Sequence, residues 1–284
     1  MTCPACAAPV LPGHAFCEDC GHPLPLVSCT ACGGAVDEEA YCVQCGLRQP
    51  DPRDHQEAAL ANGTAGVSDR GLRHQHNEDA MALTALDGLT IVVVCDGVSN
   101  SPRPELASAA AAENGAAALR GAIEAGQEHE EATRIAYAAA ARAVVALATS
   151  PRDAPACTYV SAVAGPGRVT VGWVGDSRAY WLPDTGAGRL LTEDDVASPG
   201  LLTAWLGADA GQGGVRVLSL TPDRPGRLLV CTDGLWGYLE HPEALRTPQG
   251  PPADSVRELL SRALDAGGRD NITVVLIPVN GGSP

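Results

Sequence analysis

Residues Leu228–Trp236 read LLVCTDGLW. Three apolar residues and a cysteine predict a buried strand, and the chain then places Thr-Asp-Gly where that strand must turn. Residues 89–98, LTIVVVCDGV, repeat the pattern with Asp96-Gly97; in residues 269–279, RDNITVVLIPV, Asp270-Asn271 opens the strand instead. A carboxylate is costly to bury alone. One Asp-Gly pair is an ordinary turn, but three, each joined to an apolar strand, point to a shared positive guest. Asp96, Asp233 and Asp270 offer only oxygen, which suits hard cations such as magnesium or manganese. The glycines after Asp96 and Asp233 let backbone approach an ion or its waters. Two such ions about 3.5–4 Å apart can share a hydroxide and polarise a phosphoryl group.

Working outward, strand-like runs are predicted at 90–95, 158–164, 168–174, 178–182, 215–220, 227–231 and 272–279. Helical runs are predicted at 104–121, 129–149 and 254–266. The stretch RVTVGWVGDSRAYWLPDTGAGRLL reads as a strand meander with turns at Gly175-Asp176 and Asp184–Gly188. Strict strand–helix alternation is missing, so the pattern favours an α+β sandwich over a doubly wound parallel sheet. Residues 49–61, QPDPRDHQEAALA, are polar and proline-containing and read as a linker with a short helix at its end.

The chain has 284 residues and a formal charge of −15, and all 19 of its basic residues are arginine. Without lysine there is no Schiff base and no phosphate-binding loop ending in Gly-Lys-Ser/Thr. The acidity argues against nucleic acid, where neutralised phosphates supply much of the affinity. The start, MTCPAC, lacks a basic-then-apolar leader. No apolar run reaches the ~20 residues of a membrane span. A cytoplasmic protein is expected.

Eight of the 11 cysteines form four Cys-x-x-Cys pairs: Cys3/Cys6, Cys17/Cys20, Cys29/Cys32 and Cys42/Cys45. Two pairs complete a closed four-thiolate site, the structural zinc arrangement, so residues 1–48 are expected to be a double zinc ribbon holding two Zn2+. A disulfide framework is the alternative, disfavoured in a reducing compartment. The ribbon has five acidic residues and Arg48 as its one basic residue, which favours a protein partner or a purely structural role over nucleic acid. Cys95, Cys157 and Cys231 read as core thiols.

The motifs in chain order are Ser68-Asp69-Arg70-Gly71, Asn77-Glu78-Asp79, Val94-Cys95-Asp96-Gly97, Gly175-Asp176-Ser177-Arg178, Thr232-Asp233-Gly234-Leu235 and Asp270-Asn271-Ile272-Thr273. This series, over residues 62–280, resembles the metal-dependent serine/threonine protein phosphatases of type 2C. The resemblance implies a four-layer sandwich of two antiparallel sheets flanked by helices, with a dinuclear manganese or magnesium site. It makes Asp96 the bridging ligand, Gly97 a carbonyl ligand, and Asp233 and Asp270 the ligands of the other ion. Glu78 and Asp79 would hold metal-bound waters, Asp153 would complete a third, weaker metal site, and Asp176 would brace its turn. A bridging hydroxide would then attack phosphoserine or phosphothreonine in line, and the partners would be serine/threonine kinases and their substrates.

Three departures stand out. The family usually places an arginine three residues before Asn-Glu-Asp to grip phosphate; here that position is His74, beside Arg73, and imidazole lacks the planar fork of guanidinium. His74 could instead protonate the leaving alkoxide. The segment VSNSPRPELAS after Gly97 shows no general acid. The flap between Leu190 and Trp205 is short, which should open the cleft and alter substrate choice. The competing reading is a feebly active phosphatase-like module that binds phosphoprotein and is recruited through its ribbon.

Overall fold

The computed structural model describes residues 3–10, 16–22, 28–37, 40–150, 152–198, 200–211, 213–239 and 250–281. It contains two compact units, Met1–Pro52 and Arg53–Pro284. Among the described residues the larger carries 15 strands: β1 (His55–Ala59), β2 (Ala65–Asp69), β3 (Asp79–Leu86), β4 (Leu89–Asp96), β5 (Ala156–Cys157), β6 (Tyr159–Gly165), β7 (Arg168–Val174), β8 (Arg178–Pro183), β9 (Arg189–Leu190), β10 (Val196–Ser198), β11 (Leu201–Leu202), β12 (Leu206–Gly207), β13 (Arg216–Leu220), β14 (Gly226–Cys231) and β15 (Ile272–Val279). Its helices are α1 (Pro104–Glu124), α2 (His129–Val145), the single turn α3 (Asp233–Trp236) and α4 (Pro252–Asp265).

Two large antiparallel sheets form, one ordered β1-β2-β15-β14-β8-β9 and one β13-β7-β6-β4-β3, with β10-β11 and β12-β5 as separate two-stranded pairs. Alternation explains how they stack. Val92 and Val94 of β4 meet Leu228 and Val230 of β14 and Val275 and Ile277 of β15 in the core between the sheets. Val93 and Cys95, on the opposite face of β4, pack on Ala107, Ala111 and Ala140 of α1 and α2. Leu229 and Leu276 pack on Val256 and Leu260 of α4. Strands covered on both faces read as unbroken apolar runs, which is why LTIVVVC and LLVC lack polar alternation. The result is the expected four-layer α+β sandwich. Alanine dominates α1 and lets it approach the sheet closely; at Gly115 even one added carbon would lie 3.0 Å from the Tyr159 ring.

The region expected to be a linker over 49–61 differs. Gln49 folds back into the smaller unit, and residues 55–59 form the edge strand β1 rather than a helix, paired along its length with β2. Its exposed HQEAA side chains give no core-facing pattern, so sequence alone could not announce it.

Candidate metal centres and active site

In the smaller unit, backbone N–H groups point at sulfur. Ala5 N–H donates to Cys3 Sγ, Ala31 N–H to Cys29 Sγ and Gln44 N–H to Cys42 Sγ, each at 3.4 Å. Sulfur–sulfur distances are 3.6 Å for Cys3–Cys20, Cys6–Cys17 and Cys29–Cys45, and 3.4 Å for Cys32–Cys42. A tetrahedron with ~2.3 Å zinc–sulfur bonds has edges near 3.8 Å, so both quartets fit that ion and leave no open position. The Cys29 thiol is drawn down to about 6 by the N–H groups of Cys32 and Ala31, against the cost of its burial.

The second quartet has a support that sequence reasoning missed. Buried Gln49 donates through Nε2 to Cys29 Sγ at 3.4 Å, and its Oε1 accepts from Thr30 N–H at 2.9 Å. Such outer-layer partners fix ligand orientation and typically change metal affinity 10–100-fold when lost. Gln49→Ala should therefore weaken zinc in the second site by about tenfold or more, leaving the first unchanged. Chelator competition resolving the two zinc equivalents checks this.

In the larger unit the carboxylates converge at one end of the sandwich because antiparallel neighbours end and begin together. Asp96 closes β4 directly opposite Asp79, which opens β3. Thr232-Asp233 follows β14 where Asp270-Asn271 precedes β15, and Thr232 N–H donates to Thr273 O at 3.2 Å. Asp176 sits in the turn from β7 to β8. Backbone holds each in place: Asp96 N–H donates to Thr158 Oγ1 at 3.0 Å, Thr158 N–H donates back to Asp96 O at 2.8 Å, and Gly97 N–H donates to Glu78 O at 3.1 Å. Asn271 Oδ1 accepts from Glu78 N–H at 2.8 Å, while its Nδ2 donates to Arg70 O and His76 O.

The electrostatics are one-sided. Burial, then the charges of Asp79, Asp233, Asp270 and Asp176, push the Asp96 carboxyl well above the usual range. Burial with Asp270 and Asp176 pushes Asp233 up to about 7, although the adjacent Asp96 carboxyl hydrogen-bonds it and opposes the rise. Asp79 is pushed to about 8 by burial, against hydroxyl donors Thr273 Oγ1 at 2.7 Å and Thr232 Oγ1 at 2.9 Å. Asp176 reaches about 6, by burial and then the Asp194 charge. Arg178 is held by Asp194 at 2.7 Å and stacked over Trp236, 3.6 Å from its ring centre. Asp79 Oδ1 and Asp233 Oδ1 are buried and have no hydrogen-bond partner. Orphaned buried oxygens among mutually repelling carboxylates are what divalent cations relieve, so the residues fit hard ions.

Among the described residues, only the cysteine quartets bring three or more ligand atoms all within 4.8 Å of one another. No three carboxylate oxygens of the acidic group meet that spacing among the described residues.

Asp79, Asp96, Asp176, Asp233 and Asp270 thus interact as one group, and His74 Nε2 lies 3.2 Å from Asp270 Oδ1. Glu78 Oε2 accepts from Ser99 Oγ at 2.6 Å. Asp176 adds its charge to the acidic group. Asp153 pairs with Arg103 at 2.7 Å. The arginine comes from the loop ahead of α1, 50 residues away.

Close approach dictates glycine at Gly234, where an added Cβ would lie 1.9 Å from Asn271 O, and at Gly97, where it would lie 2.6 Å from Pro104 O. Gly234→Ala should displace the Asp270-Asn271 backbone and destabilise the fold by about 1–3 kcal/mol. Thermal melts together with manganese titration check whether stability and metal affinity fall together.

A sequence profile described as Protein phosphatase 2C matches residues 70–276, and one described as Double zinc ribbon matches residues 3–46. No curated protein matches significantly. Among solved structures, a serine-threonine phosphatase of Mycobacterium smegmatis in complex with cacodylate is 27% identical, with TM-score 0.61 over 78% of this chain and 100% of that one. The serine/threonine phosphatase Stp1 of Staphylococcus aureus is 21% identical, with TM-score 0.66 over 80% and 98%. The catalytic domain of the phosphatase PstP, in complex with two manganese ions, is 25% identical, with TM-score 0.58 over 76% and 98%.

Proposed function

Because the chain belongs to the protein phosphatase 2C family, we propose that it hydrolyses phosphoserine and phosphothreonine in proteins, using two manganese or magnesium ions. The observation that carries this reading is the buried acidic group with its orphaned oxygens. Asp96, Asp233, Asp270 and the Gly97 carbonyl would hold the ions, which when bound supply the hydroxide nucleophile and neutralise charge on the phosphoryl group. Asp79 supports the site from below: its carboxylate ties Thr232 and Thr273 together and so fixes the backbone on either side of Asp233 and Asp270. Glu78, held by Ser99, would hold a metal-bound water. His74 lies against Asp270, Arg73 is exposed beside it without an ion pair among the described residues, and either would contact the substrate phosphate. Asp153 serves by anchoring Arg103.

The ribbon acts as a docking or stabilising module with two structural zinc ions. Its reduced thiols suit the cytoplasm, where phosphorylated targets of serine/threonine kinases would be the partners. Among the described residues, no helix is long and apolar enough to cross a membrane. The second reading, a feebly active phosphoprotein-binding module, is favoured by the histidine at the phosphate-gripping position. Phosphate release from a phosphothreonine peptide, with manganese added or omitted and zinc content measured in parallel, separates the two. Manganese-dependent release supports the enzyme; tight binding without release supports the module.

A further inference from the structure

The loop that leaves Gly97 does not end at the acidic group. It forms one wall of an open cleft of about 500 Å³. Val98, Ser101 and Pro102 line that wall, and Leu201, Leu202 and Trp205 line the other. The near wall is pinned: Val98 N–H donates to Ala156 O at 2.9 Å, and Ser101 Oγ accepts from Ala156 N–H at 3.1 Å. The far wall is tied to the same strand, because β12 pairs with β5 through Leu206–Cys157 and Gly207–Ala156. The Trp205 indole is held by donating to Asp209 Oδ1 at 3.0 Å. Yet Leu201 is 57% exposed at the rim. A cleft with pinned walls, mixed polar and apolar lining and an uncovered leucine at its rim can receive a side chain.

Its occupant is indicated by continuity and by charge. The cleft begins one residue beyond Gly97, so a chain with its phospho-residue at the acidic group runs directly into it. Arg152 stands exposed at the cleft and makes no ion pair among the described residues, while the Asp209 carboxylate that also lines the cleft is engaged by the Trp205 indole, in a protein of net charge −15. A free guanidinium there matches a carboxylate on the incoming segment.

Resting on the phosphatase reading, we propose that this cleft is a specificity subsite for the phosphoprotein segment beside the phospho-residue. It takes a bulky apolar side chain between Leu201 and Trp205 and an acidic side chain against Arg152. The short flap is what leaves this cleft open.

The test uses full-length protein loaded with zinc and manganese. Phosphothreonine peptides are compared in pairs, with Leu or Ala at each flanking position, for kcat/KM and for binding of non-hydrolysable phosphonate versions. One position should favour Leu by about tenfold, the order expected for burying one aliphatic side chain. Leu201→Ser and Trp205→Ala should erase that preference while p-nitrophenyl phosphate hydrolysis stays unchanged, and Arg152→Glu should reverse a preference for Glu over Lys. A preference that survives all three substitutions, or no preference at any position, overturns the subsite. Loss of Leu201-dependent self-association on light scattering, with no change in peptide preference, overturns it in favour of a second copy as occupant. If p-nitrophenyl phosphate is not hydrolysed at all, the catalytic reading fails and phosphonate binding still decides the subsite.

Discussion

Asp96→Asn and Asp233→Asn should each lower kcat on a phosphothreonine peptide by about 10³-fold or more, with zinc content and fold retained. Ion-borne stabilisation of transition-state charge is worth several kcal/mol, and each ~1.4 kcal/mol is a factor of ten. The fold should survive because Asp96 is fixed through its backbone by the two hydrogen bonds to Thr158, and asparagine keeps a polar side chain beside Asp233. In the metal-free protein both substitutions remove a repelled buried acid, so those variants should melt higher than wild type at neutral pH while turning over far less. That opposite movement of stability and activity distinguishes a metal ligand from a structural residue. Unchanged turnover in both variants would remove Asp96 and Asp233 from the chemistry.

Without manganese or magnesium, the larger unit should lose stability as pH rises from 5 to 8. Asp233 and Asp79 titrate at about 7 and about 8 in the fold, but near 3.9 in an unfolded chain. A carboxyl whose folded value is raised holds its proton longer when folded. Its contribution is fully present below about pH 4 and is lost as pH climbs through the folded values. Because Asp79, Asp233 and Asp96 share the same repulsion, the combined loss should be a few kcal/mol rather than the sum of separate shifts. Manganese should abolish the slope by binding the ionised forms. Melts of the zinc-loaded protein at pH 5 and pH 8, with and without manganese, read this directly. A flat profile without divalent ions would mean that the acids are solvated in solution and that the site is not built for cations.

The sandwich and the acids at its strand ends were legible because their strands are buried on both faces and are flanked by Asp-Gly or Asp-Asn. The strand β3, DAMALTAL, carried no such mark: alanine, leucine and methionine are better helix formers, and it is a strand only because β4 pairs with it along its full length. The register that sets Asp79 opposite Asp96 is fixed by the hairpin Asp87-Gly88, where both residues adopt positive φ, and that Asp-Gly pair is a hairpin signal the sequence does carry. The Arg103–Asp153 pair joins residues far apart in sequence, and neither position announces a partner. Gln49 looked like linker because one side-chain amide on sulfur leaves no periodic trace.

The pairing of β2, residues 65–69, with β15, residues 272–279, has a consequence for the protein's birth. β2 has one neighbour, β1, until β15 has been synthesised, and β14, β8 and β9, though made earlier, have no strand joining them to β2 before then. Each ribbon, by contrast, needs fewer than 20 consecutive residues to close around zinc, from Cys3 to Cys20 or from Cys29 to Cys45. The ribbon quartets can therefore close while the six-stranded sheet is still half-built, with an edge that stays open until β15 is made. Ribosome-bound chains halted before β15 should carry zinc but no manganese.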